Sequence, residues 1–470
     1  METKPDTKLP FTALSFNRNE SLSEQIVLKI KELIYSEAIV KGDKLPSSRT
    51  LASQLNFARG TVQTAYEILS SQNYIISKKG AGTFVNYSHS TKKEPHSTKV
   101  NGKKQYSSKI DLSPLNSITS SFPTRKWKQA MAHAMNNRQS LEFESIKGDK
   151  ALRKAIADYL RRSNGMIVKV DNIIITNSTV HAMDLIKQII KKESFQVVME
   201  SPAYSLANKV FGSDIFIRYI SSSSSEGLAG ELNKYKRNNE LFYCTSSIQF
   251  PTGKAYSLSE LKKIVSWAEE TESYILEDHY TSGIIDSSHE ELLWHLLPSR
   301  VIYVGTMSMT MFRGLRIGFA VVPDALIDKI SAEQALMTYS PSSQTQHALA
   351  RFIEQGNLEI HTRRLRKIYK DRIKLLLSII GKTSLPVKVE GEISGIFAVL
   401  KFPKDVDCEQ LAEMILDNGV IVHSLTSYFF DKQISNNSLI IGFANIKESE
   451  LIAAINIIEK TYAGYLSSAY

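Results

Sequence analysis

The chain has 470 residues, 42% hydrophobic and 23% charged, with 58 Lys/Arg, 48 Asp/Glu and a formal net charge of +10 at pH 7. That length suits two or three domains with large cores, and the composition excludes disordered, fibrous and disulfide-stapled classes. Two distant cysteines, Cys244 and Cys408, give neither metal-ligand spacing nor a disulfide framework, and the N-terminus has no apolar leader-like run, so a reducing cytoplasm without membrane insertion is expected.

The charge is unevenly spread. Residues 1–108 hold 16 Lys/Arg against 9 Asp/Glu, a local excess that suits either a polyanionic partner or a solvated Lys-rich linker. Pattern decides between these. Ser23–Glu37 places Ile26, Ile30, Leu33 and Ile34 at helical spacing, and Gly42-Asp43 ends it. A second helix opens at Leu45-Pro46-Ser47-Ser48-Arg49, with Ser47 or Ser48 as cap and Leu51, Ala52 and Leu55 facing inward. After a turn at Asn56–Ala58, a third helix starting near Arg59 buries Val62, Ala65, Tyr66 and Leu69. Asn73–Val85 then supplies two short β-branched runs around a basic, glycine-containing tip. Three helices and a β-wing make a winged helix-turn-helix.

This segment resembles the GntR-family DNA-binding domain, whose pattern P-S-x-R-x-L-A-x-x-L…S-R-x-T-V-x-x-A-Y…G-x-G-T-F-V it matches nearly throughout; Ala58 departs where the family has serine. The resemblance implies that the third helix offers Arg59, Thr61, Gln63 and Thr64 to base edges, with Arg59 suited to guanine and Gln63 to adenine. Ser48 and Arg49 would grip phosphate at the start of the second helix. Lys78 and Lys79 would add charge to the wing, and Gly80 and Gly82 would let its backbone approach DNA. Tyr66 and Phe84 read as core.

The expected domains are residues 1–86, a polar Lys/Ser-rich flexible linker at 87–109, and a body at 110–470. In the body, apolar β runs at Ile173–Ile175, Val197–Met199, Leu241–Tyr243, Tyr274–Leu276 and Val301–Val304 alternate with helical patterns such as Ala151–Arg161. Such alternation predicts an α/β architecture, a mainly parallel sheet covered by helices on both faces. A long helix over Leu358–Ile380 leads to a small α+β subdomain with Gly395–Leu400, a helix near Glu409–Asn418, and Leu439–Ala444.

Several stretches of the body carry chemistry. They are Gly148–Gly165, Thr176–His181 (TNSTVH), Glu200-Ser201-Pro202-Ala203-Tyr204, Ser246–Gly253 (SSIQFPTG), Glu277-Asp278-His279-Tyr280 and Val301–Phe319 (VIYVGTMSMTMFRGLRIGF). Together they resemble the class I, fold-type I aminotransferases across nearly all of residues 110–465. Joined to a GntR-type module, the body looks like the MocR/GabR subfamily of regulators. The resemblance implies a pyridoxal phosphate (PLP) pocket. Ser178 and Thr179 would cup the phosphate at a helix N-terminus, with Ser308 and Arg316 beside it. Tyr204 would stack on the pyridine ring, Asp278 would pair with its nitrogen and Tyr280 with its hydroxyl.

Where the family pattern has the Schiff-base lysine this chain has Met309, and where it has a histidine this chain has Ile248. Ser438–Asn445, where such enzymes often place a carboxylate clamp, contains no arginine. A thioether is neither anchor nor base, so no catalytic residue remains and transamination is not expected; Met309 and Ile248 would also make the pocket more apolar. No covalently bound cofactor is expected. PLP held non-covalently, a pocket repurposed for another small-molecule effector, and a ligand-free dimerisation scaffold stay open as alternatives. An active PLP-dependent aminotransferase with an attached DNA-binding domain is the enzyme alternative, which Met309 argues against. The resemblance further implies a homodimer, with domains exchanged between protomers as one arrangement, on double-stranded operator DNA with paired sites.

Overall fold

In the computed structural model, the described residues are 16, 21–36, 38–78, 80–87, 109–221, 227–234, 237–284, 291–337, 340–390, 396–430 and 436–468. They fall in two compact units, 1–104 and 105–470.

In the first unit, α1 (Leu22–Tyr35) buries Ile26, Val27, Ile30 and Ile34 at the spacing of one helical face. β1 (Lys44–Leu45) precedes α2 (Ser48–Leu55), whose cap is Ser47: its Oγ accepts from the Thr50 amide at 3.1 Å. Asn56, left-handed at φ 56°, ends α2 and turns the chain into α3 (Arg59–Ser71), which buries Val62, Ala65, Tyr66 and Leu69 as the spacing predicts. The wing is β2 (Ile75–Lys78) against β3 (Gly82–Val85). β1 adds a third, antiparallel strand on the other side of β3, too short to show in the sequence pattern. The Tyr66 hydroxyl donates to Pro46 O at 2.8 Å, satisfying its polar end inside the core. Phe84 is half-buried beneath the Lys78 ammonium, 5.5 Å from its ring centre.

The second unit begins with β4 (Ile110–Asp111), α4 (Thr124–Asn136) and α5 (Lys150–Asn164). Its main sheet comprises β5 (Ile173–Thr176), β6 (Gln196–Glu200), β7 (Ile217–Ile220), β8 (Glu240–Cys244), β9 (Tyr274–His279), β10 (Val301–Thr306) and β11 (Gly318–Val321), in the order β5-β11-β10-β9-β8-β6-β7. All five predicted strands are present, and β10, β9, β8, β6 and β7 run parallel. Two strands had no clear sequence signal. β7 (Ile-Arg-Tyr-Ile) is an edge strand whose Tyr219 is exposed and whose Arg218 turns in to pair with the buried Glu240 at 2.8 Å. β11 is a four-residue run inserted antiparallel between β5 and β10.

Helices cover both faces. α5 and Ser343–Glu354 share one apolar layer with Ile173, Tyr303 and Phe319. α6 (Thr179–Lys192) and Asp324–Met337 share another with Met199, Tyr243 and Val304. Helix Asn357–Ile380 leads to a four-stranded antiparallel sheet of Lys388–Glu390, Phe397–Lys401, Ser438–Gly442 and His423–Ser424. Helices Cys408–Asp417 and Glu448–Ser468 complete this subdomain. β4 pairs in parallel with Val420–Ile421, so the body's first strand is joined to its last subdomain. The architecture is α/β with an N-terminal winged helix-turn-helix, as expected. Among the described residues no helix is long and apolar enough to cross a membrane, and no His/Cys/Asp/Glu group could hold a metal.

Candidate functional site

A cavity of about 530 Å³ opens where the parallel strands end at their carboxyl edge, the usual ligand position in open α/β sheets. Thr245 follows β8, Asp278 and Tyr280 come from the end of β9, and Thr306, Ser308 and Met309 follow β10. Ser178, Thr179 and Val180 start α6, Tyr204 stands just before helix Ser205–Gly212, and Arg313 and Arg316 precede β11. Ser113–Leu115 and, from the C-terminal subdomain, His423 and Tyr428 close the remaining side.

Asp278 governs the electrostatics. It is 4% exposed, its Oδ2 accepts from the Tyr243 hydroxyl at 3.1 Å, and its buried Oδ1 has no hydrogen-bond partner. Burial pushes its carboxyl up to about 7, and the Tyr243 hydrogen bond only partly offsets this. A spare, desolvated carboxylate oxygen is a strong acceptor for a cationic N–H, which is what a protonated pyridine nitrogen presents. Burial and then Asp278 raise the Tyr204 hydroxyl to about 12, while Arg313 and Arg316 act in the opposite direction. Both guanidiniums are therefore within electrostatic reach of the Tyr204 ring. The Tyr280 hydroxyl donates to Ile248 O at 3.1 Å and is held protonated chiefly by burial.

The opposite end is built for an anion. The Ser178 hydroxyl caps α6 by accepting from His181 N at 3.1 Å, and Thr176 Oγ1 donates to Ser178 O at 2.9 Å. Gly318 makes this packing feasible, since a Cβ there would lie 2.9 Å from the Ser178 carbonyl carbon. The first turn of a 14-residue helix thus borders the cavity with its free N–H groups and positive dipole end. Arg316 lines the same cavity in the left-handed region at φ 53°. These donors, with Ser308, fit a phosphate group.

Met309 lines the cavity at 6% exposure, and no lysine does so among the described residues. The expectation that Ile248 makes the pocket itself more apolar is corrected. Ile248 is 2% exposed, lies behind the wall in a cluster with Met309, Phe250, Leu365 and Tyr369, and is absent from the lining. Phe250 is the residue of that segment that reaches the cavity. The sequence reading brought Ser178, Thr179, Tyr204, Asp278, Tyr280, Ser308 and Arg316 to one place, and all seven line this cavity. It missed Tyr243, Arg313, His423 and Tyr428. Arg313 had a signal, an arginine three residues before Arg316. The others depend on strand register and on the distant subdomain.

In the first unit, a groove between α3 and the wing is lined by Lys44, Ser47, Ser48, Gln63, Glu67 and the tip Gly80–Thr83. Arg49, Arg59, Gln63 and Thr64 are exposed, and Ser48 and Thr61 are partly so. Gln63 Nε2 donates to Glu67 Oε1 at 3.3 Å. Gly80 and Gly82, at φ 80° and 115°, form the tip after the exposed Lys78; Lys79 lies outside the described residues. Ala58 occupies the N-cap of α3 and gives it no side-chain hydrogen bond.

Residues 112–458 match the family described as aminotransferase class I and II, and residues 22–85 match the bacterial regulatory proteins of the gntR family. The uncharacterized HTH-type transcriptional regulator YhdI of Bacillus subtilis is 28% identical over 95% of this chain and 97% of its own. The probable rhizopine catabolism regulatory protein MocR of Rhizobium meliloti is 26% identical over 95% of each chain. Among solved structures, a Pyrococcus horikoshii kynurenine aminotransferase shares the body's fold, with a TM-score of 0.68 at 23% identity over 77% of this chain and 92% of that one. With this body behind a gntR-type domain, the chain belongs to the aminotransferase class I and II family and has the two-part composition of the MocR/GabR regulators.

Proposed function

We propose that this chain is a sequence-specific, DNA-binding transcriptional regulator of the cytoplasm whose aminotransferase-like body dimerises and senses a small molecule without turning it over. Relatives matched along nearly their whole length are named as regulators, which supports the first half. Met309 carries the second: we read it as standing at the family's lysine position, inside a cavity whose other side chains still suit PLP. A thioether cannot anchor a carbonyl group or shuttle a proton.

PLP, when bound, supplies an electron-withdrawing pyridinium ring and a phosphate handle. On this reading Asp278 accepts the ring N–H, Tyr204 flanks the ring, and Ser178, Thr179, Ser308 and Arg316 hold the phosphate. Tyr280 keeps its bond to Ile248 O and shapes the wall. These residues bind and orient, and Met309 removes the proton carrier. In the other unit, Arg59, Thr61, Gln63 and Thr64 read bases while Ser48, Arg49, Lys78, Lys79, Gly80 and Gly82 secure the backbone.

Equilibrium dialysis against PLP, with and without excess inorganic phosphate, tests the cavity. Saturable binding that phosphate competes away is expected, with no amino-acid turnover when an oxo acid is added. Sustained turnover would restore the enzyme reading, and no binding would leave a dimerisation scaffold. A mobility shift on the chain's own promoter DNA tests the other unit, and absence of sequence preference would overturn the regulator reading.

A further inference from the structure

The cavity is electrostatically lopsided. Among the described residues, its charged lining side chains are one carboxyl, Asp278, and two guanidiniums, Arg313 and Arg316. Asp278 is buried, whereas both arginines are exposed. One phosphate beside Arg316 and α6 would leave Arg313 uncompensated.

Arg313 is nevertheless placed. Its Nη1 donates to Asn116 Oδ1 at 3.0 Å, and Asn116 Nδ2 donates to Ser113 O at 3.2 Å. The Ser113 hydroxyl shares a 3.1 Å hydrogen bond with His423 Nε2. Asn116, Ser113 and His423 therefore form a connected polar rim on the side where β4 meets the C-terminal subdomain. The partner that orients Arg313 is a neutral amide. It fixes the side chain without neutralising it, and the remaining N–H donors of the fork stay available. An oriented, uncompensated guanidinium at a cavity mouth suits a planar bidentate anion, namely a carboxylate.

We propose that Arg313, oriented by Asn116, is a carboxylate-recognising residue, so that the ligand sensed by this cavity carries a carboxylate as well as a phosphate. The proposal rests on the reading of the cavity as a PLP-type pocket. It adds a second anionic subsite on the Ser113–His423 rim, apart from the Ser438–Asn445 stretch that has no arginine.

The test compares three probes on the full-length protein by calorimetric titration: PLP, N-(5'-phosphopyridoxyl)-L-leucine, and the same compound with its carboxylate converted to a carboxamide. The carboxylate probe should bind about tenfold more tightly than the carboxamide, the size of one charge-assisted bidentate contact. Arg313→Gln should abolish that preference, weakening the carboxylate probe about tenfold more than PLP or the carboxamide, and Arg313→Lys should restore part of it. Asn116→Asp, which neutralises the guanidinium, should also abolish it. Equal binding of carboxylate and carboxamide by the unaltered protein, or equal weakening of all probes by Arg313→Gln, would overturn the proposal and leave the pocket reading intact. Failure of every probe to bind would overturn both.

Discussion

The two units advertise their chemistry in different ways. The winged helix keeps its candidate contact residues within one short stretch, on α3, the start of α2 and the wing tip, while its buried apolar residues form a single core. The cavity draws its lining from segments between Ser113 and Tyr428, and its decisive group, Asp278, is buried. A surface that reads a polyanion needs exposed charge and tolerates little else. A pocket that holds one small molecule needs a few polar groups fixed against an apolar wall. A substitution in the first should therefore change affinity without changing the fold, whereas one in the second changes both.

The largest effect is expected from Met309→Lys. It should allow covalent retention of PLP, seen as added mass after borohydride reduction. Failure at high PLP would mean that the cavity differs from the family's by more than one side chain. Next, Arg59→Ala should weaken binding to the specific site by roughly 1–3 kcal/mol and relax sequence preference. Lys78→Ala should instead weaken all sequences alike and flatten the salt dependence. An equal loss on every sequence for Arg59→Ala would reassign it to phosphate.

Asp278→Asn sharpens the contrast from the cavity side. The folded carboxyl sits near 7, above its ordinary value of 3.8, so the folded state binds the extra proton and stability falls as pH rises between those values. Asn should remove that loss, raising stability of the ligand-free protein by roughly 1–3 kcal/mol at pH 8 and by little at pH 4. It should simultaneously weaken PLP binding. Thermal melts at the two pH values check the first expectation; if the variant is no more stable at pH 8, the carboxylate is better compensated than its free Oδ1 implies. The smallest effect concerns Ala58→Ser, which supplies the missing cap of α3. Stabilisation by about 1 kcal/mol is expected from urea unfolding of the full chain, followed through the first transition.

The winged helix was almost entirely legible because its signals are local. Helical spacing, Ser47 as cap and a glycine tip each act within a few residues. In the body, buried parallel strands announced themselves as apolar runs, but β7 and β11 did not. One is an edge strand interrupted by an arginine and a tyrosine, and the other a four-residue insert whose neighbours are 144 and 14 residues away in register, Ile175 against Phe319 and Gly305 against Phe319 being partners. Site residues that follow a motif, such as Asp278, Tyr204 and Ser178, were legible by resemblance. Tyr243 was not, because its hydroxyl meets Asp278 only through the pairing of β8 with β9. Ile248 misled for a related reason: its side chain and its carbonyl face different surroundings, and only the carbonyl, through Tyr280, bears on the wall.

The pairing of β4 with Val420–Ile421 has a mechanical consequence. It is a two-residue ladder, flanked by the Ile110 amide on Gly419 O and the Leu112 amide on Ile421 O, both at 2.9 Å. Ser113, on the cavity rim, follows immediately, and the segment leading back to the winged helix ends just before it. The Leu112 carbonyl also accepts from the Gly442 amide at 2.6 Å and its side chain is fully buried in the subdomain core, so the strand is anchored by packing as well as by its ladder. Ser113 is thus carried on the cavity rim by a strand rooted in the C-terminal subdomain, so a shift of that subdomain reaches the pocket wall through covalent geometry alone.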